Sequence, residues 1–141
     1  MRMRITRIIF LFCRPFLQSK YRLAMRPGQT AIMGASLGGL IATYAAIRRS
    51  DIFGLCAVQS PAYQVNQDSI FTLVAAAGRK PVRFYLDTGT LRDAQMRARK
   101  MKELLETEGY SLAYAEYPEG HNWVNWRARV SHILTYFWGT P

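Results

Sequence analysis

With 141 residues, half of them hydrophobic, the chain is long enough for one domain with a buried core. Its formal net charge of +10 is unevenly spread, because residues 1–50 hold nine Arg or Lys and no acidic residue, whereas residues 51–141 hold ten basic and nine acidic residues. Cys13 and Cys56 are too few for a disulfide framework and lack metal-ligand spacing. No apolar run approaches the ~18 residues of a membrane-spanning helix. Since residues 8–13 are also too short for a signal peptide, we expect a cytoplasmic protein.

Strand and helix patterns alternate along the chain after residue 14. Short apolar runs predict strands over residues 30–34, 53–59, 81–86 and 110–117, and longer segments predict helices over residues 15–23, 37–49, 66–77, 94–108 and 123–138. This alternation is typical of βαβ units and predicts an α/β fold of about four parallel strands with helices on both faces. We therefore divide the chain into an irregular basic segment, residues 1–14, and one α/β unit, residues 15–141.

The most specific motif is Gly34-Ala35-Ser36-Leu37-Gly38, which lies between the first predicted strand and a helix. A G-x-S-x-G sequence in that position is typical of a nucleophile elbow, a sharp turn that exposes a serine hydroxyl above the sheet. We expect both glycines to make room for the turn and the backbone to be strained at Ser36. The N–H of Leu37 begins the helix and is a candidate oxyanion donor. The motif thus makes Ser36 the candidate nucleophile.

Candidate partners for Ser36 follow the later strands, whose carboxyl ends meet at one edge of a parallel sheet. His121 is the predicted base, because it lies in a loop after the fourth strand, whereas His132 falls in the middle of a helix. Two carboxylates follow the third strand. We favour the loop residue Asp93 over Asp87 as the acid, because the acid must reach back across the rim to His121. The alternatives are a helix N-cap for Asp93 and a turn residue for Asp87.

The last predicted helix carries four large aromatic residues, Trp123, Trp126, Phe137 and Trp138. Such a set at helical spacing usually packs in the core, and we expect that here. Because Trp123 stands close to His121 in the sequence, it is also a candidate for the wall of a substrate pocket.

From Pro15 to its end, the chain resembles the putative esterase family of the α/β-hydrolases, which contains enterochelin esterases, feruloyl esterases and S-formylglutathione hydrolase. The resemblance rests on residues 16–22, 34–40, 84–90 and 119–123, and the Gly-His-Asn-Trp stretch looks most like the enterochelin-esterase-like branch. It implies a partial α/β-hydrolase fold and a serine carboxylic ester hydrolase that uses a Ser-His-Asp triad and an acyl-enzyme. It also implies a small-molecule ester as substrate and no metal or organic cofactor.

The chain departs from this family ahead of the elbow. Family members have several strands there, together with the loop that supplies a second oxyanion N–H, whereas here fewer than 30 residues precede the first predicted strand. The resemblance therefore implies the C-terminal half of an esterase, and a truncated, weakly active or inactive fragment is the first alternative function. It also leaves residues 30–34 as an edge strand, through which the chain is expected to be prone to self-association.

The basic first third suggests a second alternative, a protein that binds nucleic acid or an anionic surface. Its arginines form no helical stripe and match no binding motif. We therefore expect incidental basicity, with no nucleic acid and no membrane span among the partners.

Overall fold

The computed structural model of the protein describes residues 13–139. This range contains the strands β1 (Ala31–Ala35), β2 (Leu55–Gln59), β3 (Arg83–Gly89) and β4 (Ser111–Tyr117), and the helices α1 (Arg14–Lys20), α2 (Leu37–Arg48), α3 (Ser69–Ala77), α4 (Gln95–Thr107) and α5 (Trp123–Trp138). The strands form one parallel sheet in the order β1-β2-β3-β4. The predicted α/β fold is confirmed. Of the predicted basic segment, residues 1–12 lie outside the described range.

Helices cover both faces of the sheet, as the burial of β2 shows. All five residues of β2 are buried, which is usual for a central strand of a parallel sheet. Cys56 and Val58 belong to the core that packs under α2, α3 and α4. Leu55 and Ala57 face the opposite side and pack with residues of α5. The alternation of side chains along the strand thus divides the core into two layers.

Most element boundaries differ from the predicted ones by one to three residues; α1, for example, ends at Lys20 rather than at residue 23. Two of the differences have a clear local reason. Helix α3 begins at Ser69 rather than at residue 66, because Asn66, Gln67 and Asp68 have φ angles of 57°, 53° and 57°. Strand β3 continues beyond residue 86 to Gly89, because its pairing with β4 extends to Gly89 opposite Tyr117. Asp87 therefore lies inside a strand, and its alternative interpretation as a turn residue is wrong.

The first part of the described chain lies near the start of β1, where Leu17 and Leu23 line a pocket together with Ala31. Helix α1 has no buried residue. Among residues 13–139, β2 is the strand that pairs with β1, and no strand pairs with the other edge of β1. Within the same residues, no helix is both long and apolar enough to cross a membrane.

Candidate active site

Ser36 stands at the sharp turn between β1 and α2. Its backbone angles are φ 54° and ψ −120°. Residues other than glycine adopt this backbone conformation at a cost of about 1–3 kcal/mol. Neighbouring hydrogen bonds hold it there. The Ser36 N–H donates to the Gln59 carbonyl at 2.9 Å, and the Ser36 carbonyl accepts from the N–H groups of Gly39 and Ala62, both at 3.0 Å. The turn is therefore held from both β2 and α2.

The two glycines of the motif have different roles. A Cβ on Gly34 would collide with the backbone of Gly38, so α2 can cross the end of β1 only because residue 34 has no side chain. A Cβ on Gly38 would meet nothing within 4 Å, and the expectation that Gly38 makes room for the turn is wrong. The tight position on the helix is Gly39, where a Cβ would lie 3.0 Å from Cγ1 of Val58.

The structure brings Ser36, His121 and Asp93 into one chain of hydrogen bonds. Nε2 of His121 lies 2.9 Å from Oγ of Ser36. Nδ1 of the same ring lies 2.6 Å from Oδ1 of Asp93. An ionised carboxylate only accepts hydrogen bonds, so the ring proton belongs on Nδ1 and Nε2 is free to accept a proton from the serine. This is the arrangement of a nucleophile, a base and an orienting acid.

Two loops that cross at the end of the sheet place His121 and Asp93 side by side. The N–H of Leu91 donates to the Glu119 carbonyl, and the N–H of Thr90 donates to the Tyr117 carbonyl. A Cβ on Gly89 would collide with the Glu119 carbonyl, so the close approach requires a glycine there. The His121 loop is also anchored to the start of α5.

That anchor is formed by two asparagines. The Asn122 side chain accepts from the Asn125 N–H at 3.0 Å and caps α5, while Nδ2 of Asn125 donates to the Gly120 carbonyl at 3.1 Å. The residues on both sides of His121 are thereby held by the helix.

The Asp93 carboxylate is completely buried and yet favours its ionised form. Burial acts to raise its pKa, but hydrogen bonds from Ser60, from His121 and from the backbone N–H groups of Gly89 and Ala94 outweigh burial, and the pKa of Asp93 lies below its usual value. The Gly89 N–H reaches Oδ2 of Asp93 at 2.6 Å. Helix α4 starts at Gln95 with Ala94 at its N-cap position, so the N-cap alternative for Asp93 is wrong.

Asp87 does not join this chain of hydrogen bonds. Its side chain is buried in β3, where Nε2 of Gln59 donates to its Oδ2 at 3.3 Å. Burial raises the pKa of Asp87 to about 7, helped by the nearby charge of Asp93, while Gln59 and Arg129 act in the opposite direction. Of the two candidate acids, the structure therefore places Asp93, not Asp87, against His121.

Several other candidates take up identifiable positions. The N–H of Leu37 lies in the first turn of α2, whose N–H groups have no acceptor within the helix. His132 is exposed, and its Nδ1 lies 3.1 Å from the Tyr117 hydroxyl, far along α5 from the loop of His121.

The four large aromatic residues of α5 divide into two groups. Trp126 and Phe137 are buried in the core, as expected. Trp123 and Trp138 are exposed, so the core expectation is wrong for these two, which lie at the first and last positions of α5.

An open cleft of about 550 Å³ lies beside His121. Its walls come from the loop after β2, with Pro61 and Ala62, and from the loop that leads into the first turn of α4, with Thr90, Arg92 and Met96. His121 adds to the lining from the loop after β4. Trp123 does not line this cleft; its ring packs edge-on against Trp126, with 5.1 Å between the ring centroids. Within the described residues, no three His, Cys, Asp or Glu side chains converge as a metal site.

Sequence reasoning missed two residues of this site, Ser60 and Gly89. Ser60 directly follows β2 at the same edge of the sheet as Ser36, which was the available signal. Its hydroxyl lies 2.5 Å from Oδ2 of Asp93. Gly89 was recognisable as a turn residue, but its contact with the His121 loop depends on two segments far apart in the sequence.

Comparison with known proteins gives matches at two levels. A family model described as putative esterase matches residues 13–137. A crystal structure of the enterobactin esterase from Shigella flexneri is 22% identical and superposes with a TM-score of 0.84 over 92% of this chain and 37% of that chain. A ferulic acid esterase is 20% identical, with a TM-score of 0.82 over 92% of this chain and 59% of that chain.

A third solved structure, the S-formylglutathione hydrolase from Staphylococcus aureus, is 12% identical, with a TM-score of 0.80 over 94% of this chain and 62% of that chain. Curated protein sequences give no match. The chain thus shares the fold of these hydrolases and spans between about a third and two thirds of their length.

Proposed function

Because the chain belongs to the putative esterase family, we propose that it is a serine carboxylic ester hydrolase in which Ser36, His121 and Asp93 form the catalytic triad. The observation that carries the proposal is the continuous path from Asp93 Oδ1 through both nitrogens of His121 to Ser36 Oγ, with steps of 2.6 and 2.9 Å. Both distances are within hydrogen-bond reach, which a nucleophile and its base require.

In the first half of the reaction, Nε2 of His121 takes the proton of the Ser36 hydroxyl while Oγ attacks the ester carbonyl carbon. The carbonyl electron pair moves onto oxygen, and the N–H of Leu37 donates to this oxyanion. Asp93 stabilises the imidazolium without accepting its proton. When the oxyanion collapses, the bond to the alcohol oxygen breaks, the alcohol leaves with the proton from His121, and an acyl group remains on Ser36.

In the second half, His121 takes a proton from water, whose oxygen attacks the acyl carbon. The tetrahedral intermediate collapses by releasing Oγ of Ser36, which takes the proton back from Nε2. A carboxylic acid leaves and the original hydrogen-bonded chain is restored. His121 suits this double use because its side chain is 40% exposed, so both water and the leaving alcohol have access to Nε2.

The rate of ester hydrolysis depends on how many N–H groups donate to the oxyanion. Leu37 supplies one donor at the start of α2, and the family resemblance assigns the second to a loop ahead of the elbow. Loss of one oxyanion donor lowers the rate by about 10²–10³. We therefore propose slow turnover for these 141 residues alone, with chemistry that still depends on Ser36.

We propose a small-molecule ester as the substrate, with one part of the ester in the cleft beside His121. Trp123 is 76% exposed and lies across Trp126 from that ring, so we propose that it contacts the portion of the ester outside the cleft. A cytoplasmic location and the lack of a nucleic-acid partner remain predictions from the sequence.

A fluorophosphonate probe tests the nucleophile directly. We expect one adduct on the parent chain by intact mass, none on Ser36→Ala, and strongly slowed labelling of His121→Gln. His132→Gln is the matched control, since its ring is exposed on α5, and it should label as the parent does. A folded parent chain that acquires no adduct would contradict the proposal and favour the inactive-fragment alternative.

A further inference from the structure

The hydroxyl of Ser60 lies behind the acid of the proposed triad. Ser60 is completely buried just after β2, and its Oγ is 2.5 Å from Oδ2 of Asp93. This is the carboxylate oxygen that does not face His121. On its other side, Oγ of Ser60 lies 3.0 Å from Nε1 of Trp126. The serine thus connects the indole of α5 with the carboxylate of the loop before α4.

The chemistry of these groups determines the direction of both hydrogen bonds. An indole N–H only donates, so Ser60 must accept from Trp126. An ionised carboxylate only accepts, so the single proton of the Ser60 hydroxyl must point to Asp93. Both partners are satisfied by only one orientation of the Ser60 O–H bond. The resulting hydrogen bond to the ionised carboxylate is charge-assisted and therefore stronger than one between neutral groups.

Trp126 also touches the base. Its ring packs edge-on against the imidazole of His121, with 4.9 Å between the centroids and an angle of 88°. The Trp126 carbonyl accepts from Nε2 of Gln59 at 3.0 Å, which ties this turn of α5 to β2. One indole therefore contacts the imidazole directly and the carboxylate through Ser60.

We propose that Ser60 and Trp126 form a positioning pair that holds the Asp93 carboxylate and the His121 ring in line with Ser36. The backbone of Ser60 has a φ angle of 42°, which turns the chain directly after β2. The proposal rests on the proposed function for its effect on rate, but the geometry that it concerns exists without substrate.

The remaining donors to Asp93 would not keep this alignment alone. Thr88 Oγ1 lies 3.4 Å from Oδ2 of Asp93 and also reaches the Gly89 carbonyl at 3.2 Å, so it is a weak and shared donor. The backbone N–H groups of Gly89, at 2.6 Å from Oδ2, and of Ala94 then remain as donors to the carboxylate. Both belong to the loop that carries Asp93, so without Ser60 no donor on this side ties the carboxylate to β2 and α5, and a displacement of about 1 Å near the chemistry costs on the order of 100-fold in rate.

The test uses three variants and two controls in the full chain. Ser60→Ala removes the hydroxyl, Ser60→Cys keeps a weaker donor of similar size, and Trp126→Phe keeps a ring while removing the indole N–H. Ser111→Ala and Trp138→Phe are the matched controls, because both side chains are exposed and distant from the site. Circular dichroism and thermal melts identify any variant that does not fold, and the remaining variants then carry the test.

The first measurement is the proton NMR signal of Nδ1–H of His121, assigned by its loss in His121→Gln. A hydrogen bond to a carboxylate moves this signal far downfield. We expect it to move upfield or to broaden by solvent exchange in Ser60→Ala and Trp126→Phe, to return partly in Ser60→Cys, and to stay unchanged in both controls. A folded Ser60→Ala protein with the parent's signal overturns the proposal, as does a parent chain without a downfield signal.

The second measurement is the rate of fluorophosphonate labelling at Ser36. We expect a decrease of about 10- to 100-fold in Ser60→Ala, partial recovery in Ser60→Cys, and no change in the controls. If the parent chain is not labelled, the proposed function fails, while the NMR signal still decides the positioning pair. If the parent is labelled and Ser60→Ala labels equally fast, the positioning pair fails and the proposed function stands.

Discussion

Oδ1 of Asp93 lies 2.6 Å from Nδ1 of His121, and the two side chains differ completely in exposure: the carboxylate is 0% exposed and the imidazole 40%. The negative charge is therefore held under the ring, away from water, while the ring reaches the open cleft. A charge interaction in a water-poor site is stronger than one at the surface. In the proposed triad, this asymmetry lets the acid act on the base without touching substrate.

Replacement of each candidate acid by asparagine separates their roles. Asp93→Asn puts an amide against Nδ1 of His121 and favours the wrong tautomer, so we expect labelling of Ser36 by a fluorophosphonate to slow by about 10³–10⁴. Asp87→Asn should change the labelling rate only slightly, because the Asp87 carboxyl bonds Gln59 instead of His121. The rate constants are measured by intact mass at one pH. Equal losses in the two variants would contradict the assignment of Asp93.

The stability of the protein should depend on pH through Asp87. The ordinary pKa of an aspartate is 3.8, whereas the pKa of Asp87 in the fold is about 7, so near neutral pH the folded chain holds a proton that the unfolded chain has released. The stability that this group contributes is present below pH 3.8 and is lost as the pH rises through about 7. Each pKa unit corresponds to about 1.4 kcal/mol, so the loss amounts to a few kcal/mol.

Urea unfolding checks this pH dependence of stability. It is measured for the parent chain and for Asp87→Asn, from mildly acidic to mildly alkaline pH. Asparagine is uncharged at every pH, so the free energy of unfolding of the parent should fall relative to that of the variant as the pH rises. A constant difference between the two chains over the whole range would show that Asp87 does not titrate within it.

Much of the fold follows from local patterns, because the strands are short and largely apolar and longer segments between them, such as the charged amphipathic α4, have helical spacing. The start of α3 and the end of β3, which were predicted wrongly, depend on features other than the apolar pattern. Residues 66–68 adopt left-handed backbone angles ahead of α3, and the end of β3 is set by its pairing with β4. The spacing of apolar residues cannot show either feature. The first is a backbone conformation of polar residues, and the second is a contact between two strands.

The candidate site could be predicted as far as it depends on chain order and on one edge of the sheet. Ser36, Asp93 and His121 each follow a strand, so a parallel sheet brings them together. Ser60 follows a strand as well, but its proposed role depends on the indole of Trp126 in α5, whose N–H donates to the Ser60 hydroxyl. Such a contact between distant segments has no signal in a single sequence.

The two motif glycines offer a matched pair for stability. Gly34→Ala places a Cβ into the backbone of Gly38, and we expect a loss of about 3 kcal/mol or more in the free energy of unfolding. Gly38→Ala places a Cβ into open space within α2 and should leave stability unchanged or raise it by up to ~1 kcal/mol. Urea unfolding measures both. Equal destabilisation by the two substitutions would contradict the distinction between the glycines.

The edge of β1 that no described strand covers is the expected place of self-association. The Thr30 carbonyl accepts from Leu55 and the Ser36 N–H donates to Gln59, so these positions direct their backbone groups toward β2. Because directions alternate along a strand, the N–H of Met33 points to the other edge, where no described strand lies. An unpaired edge of this kind is a template for another chain.

Two substitutions at one position separate backbone pairing from side-chain contact at this edge. Met33→Pro removes the outward N–H, and proline is tolerated in edge strands where that group faces solvent. Met33→Ala removes the side chain, which is 43% exposed, and keeps the N–H. We expect sedimentation velocity to show concentration-dependent association of the parent chain and of Met33→Ala, and a monomer for a folded Met33→Pro. Equal weakening by both would assign association to the methionine side chain, and undiminished association of Met33→Pro would place the contact elsewhere.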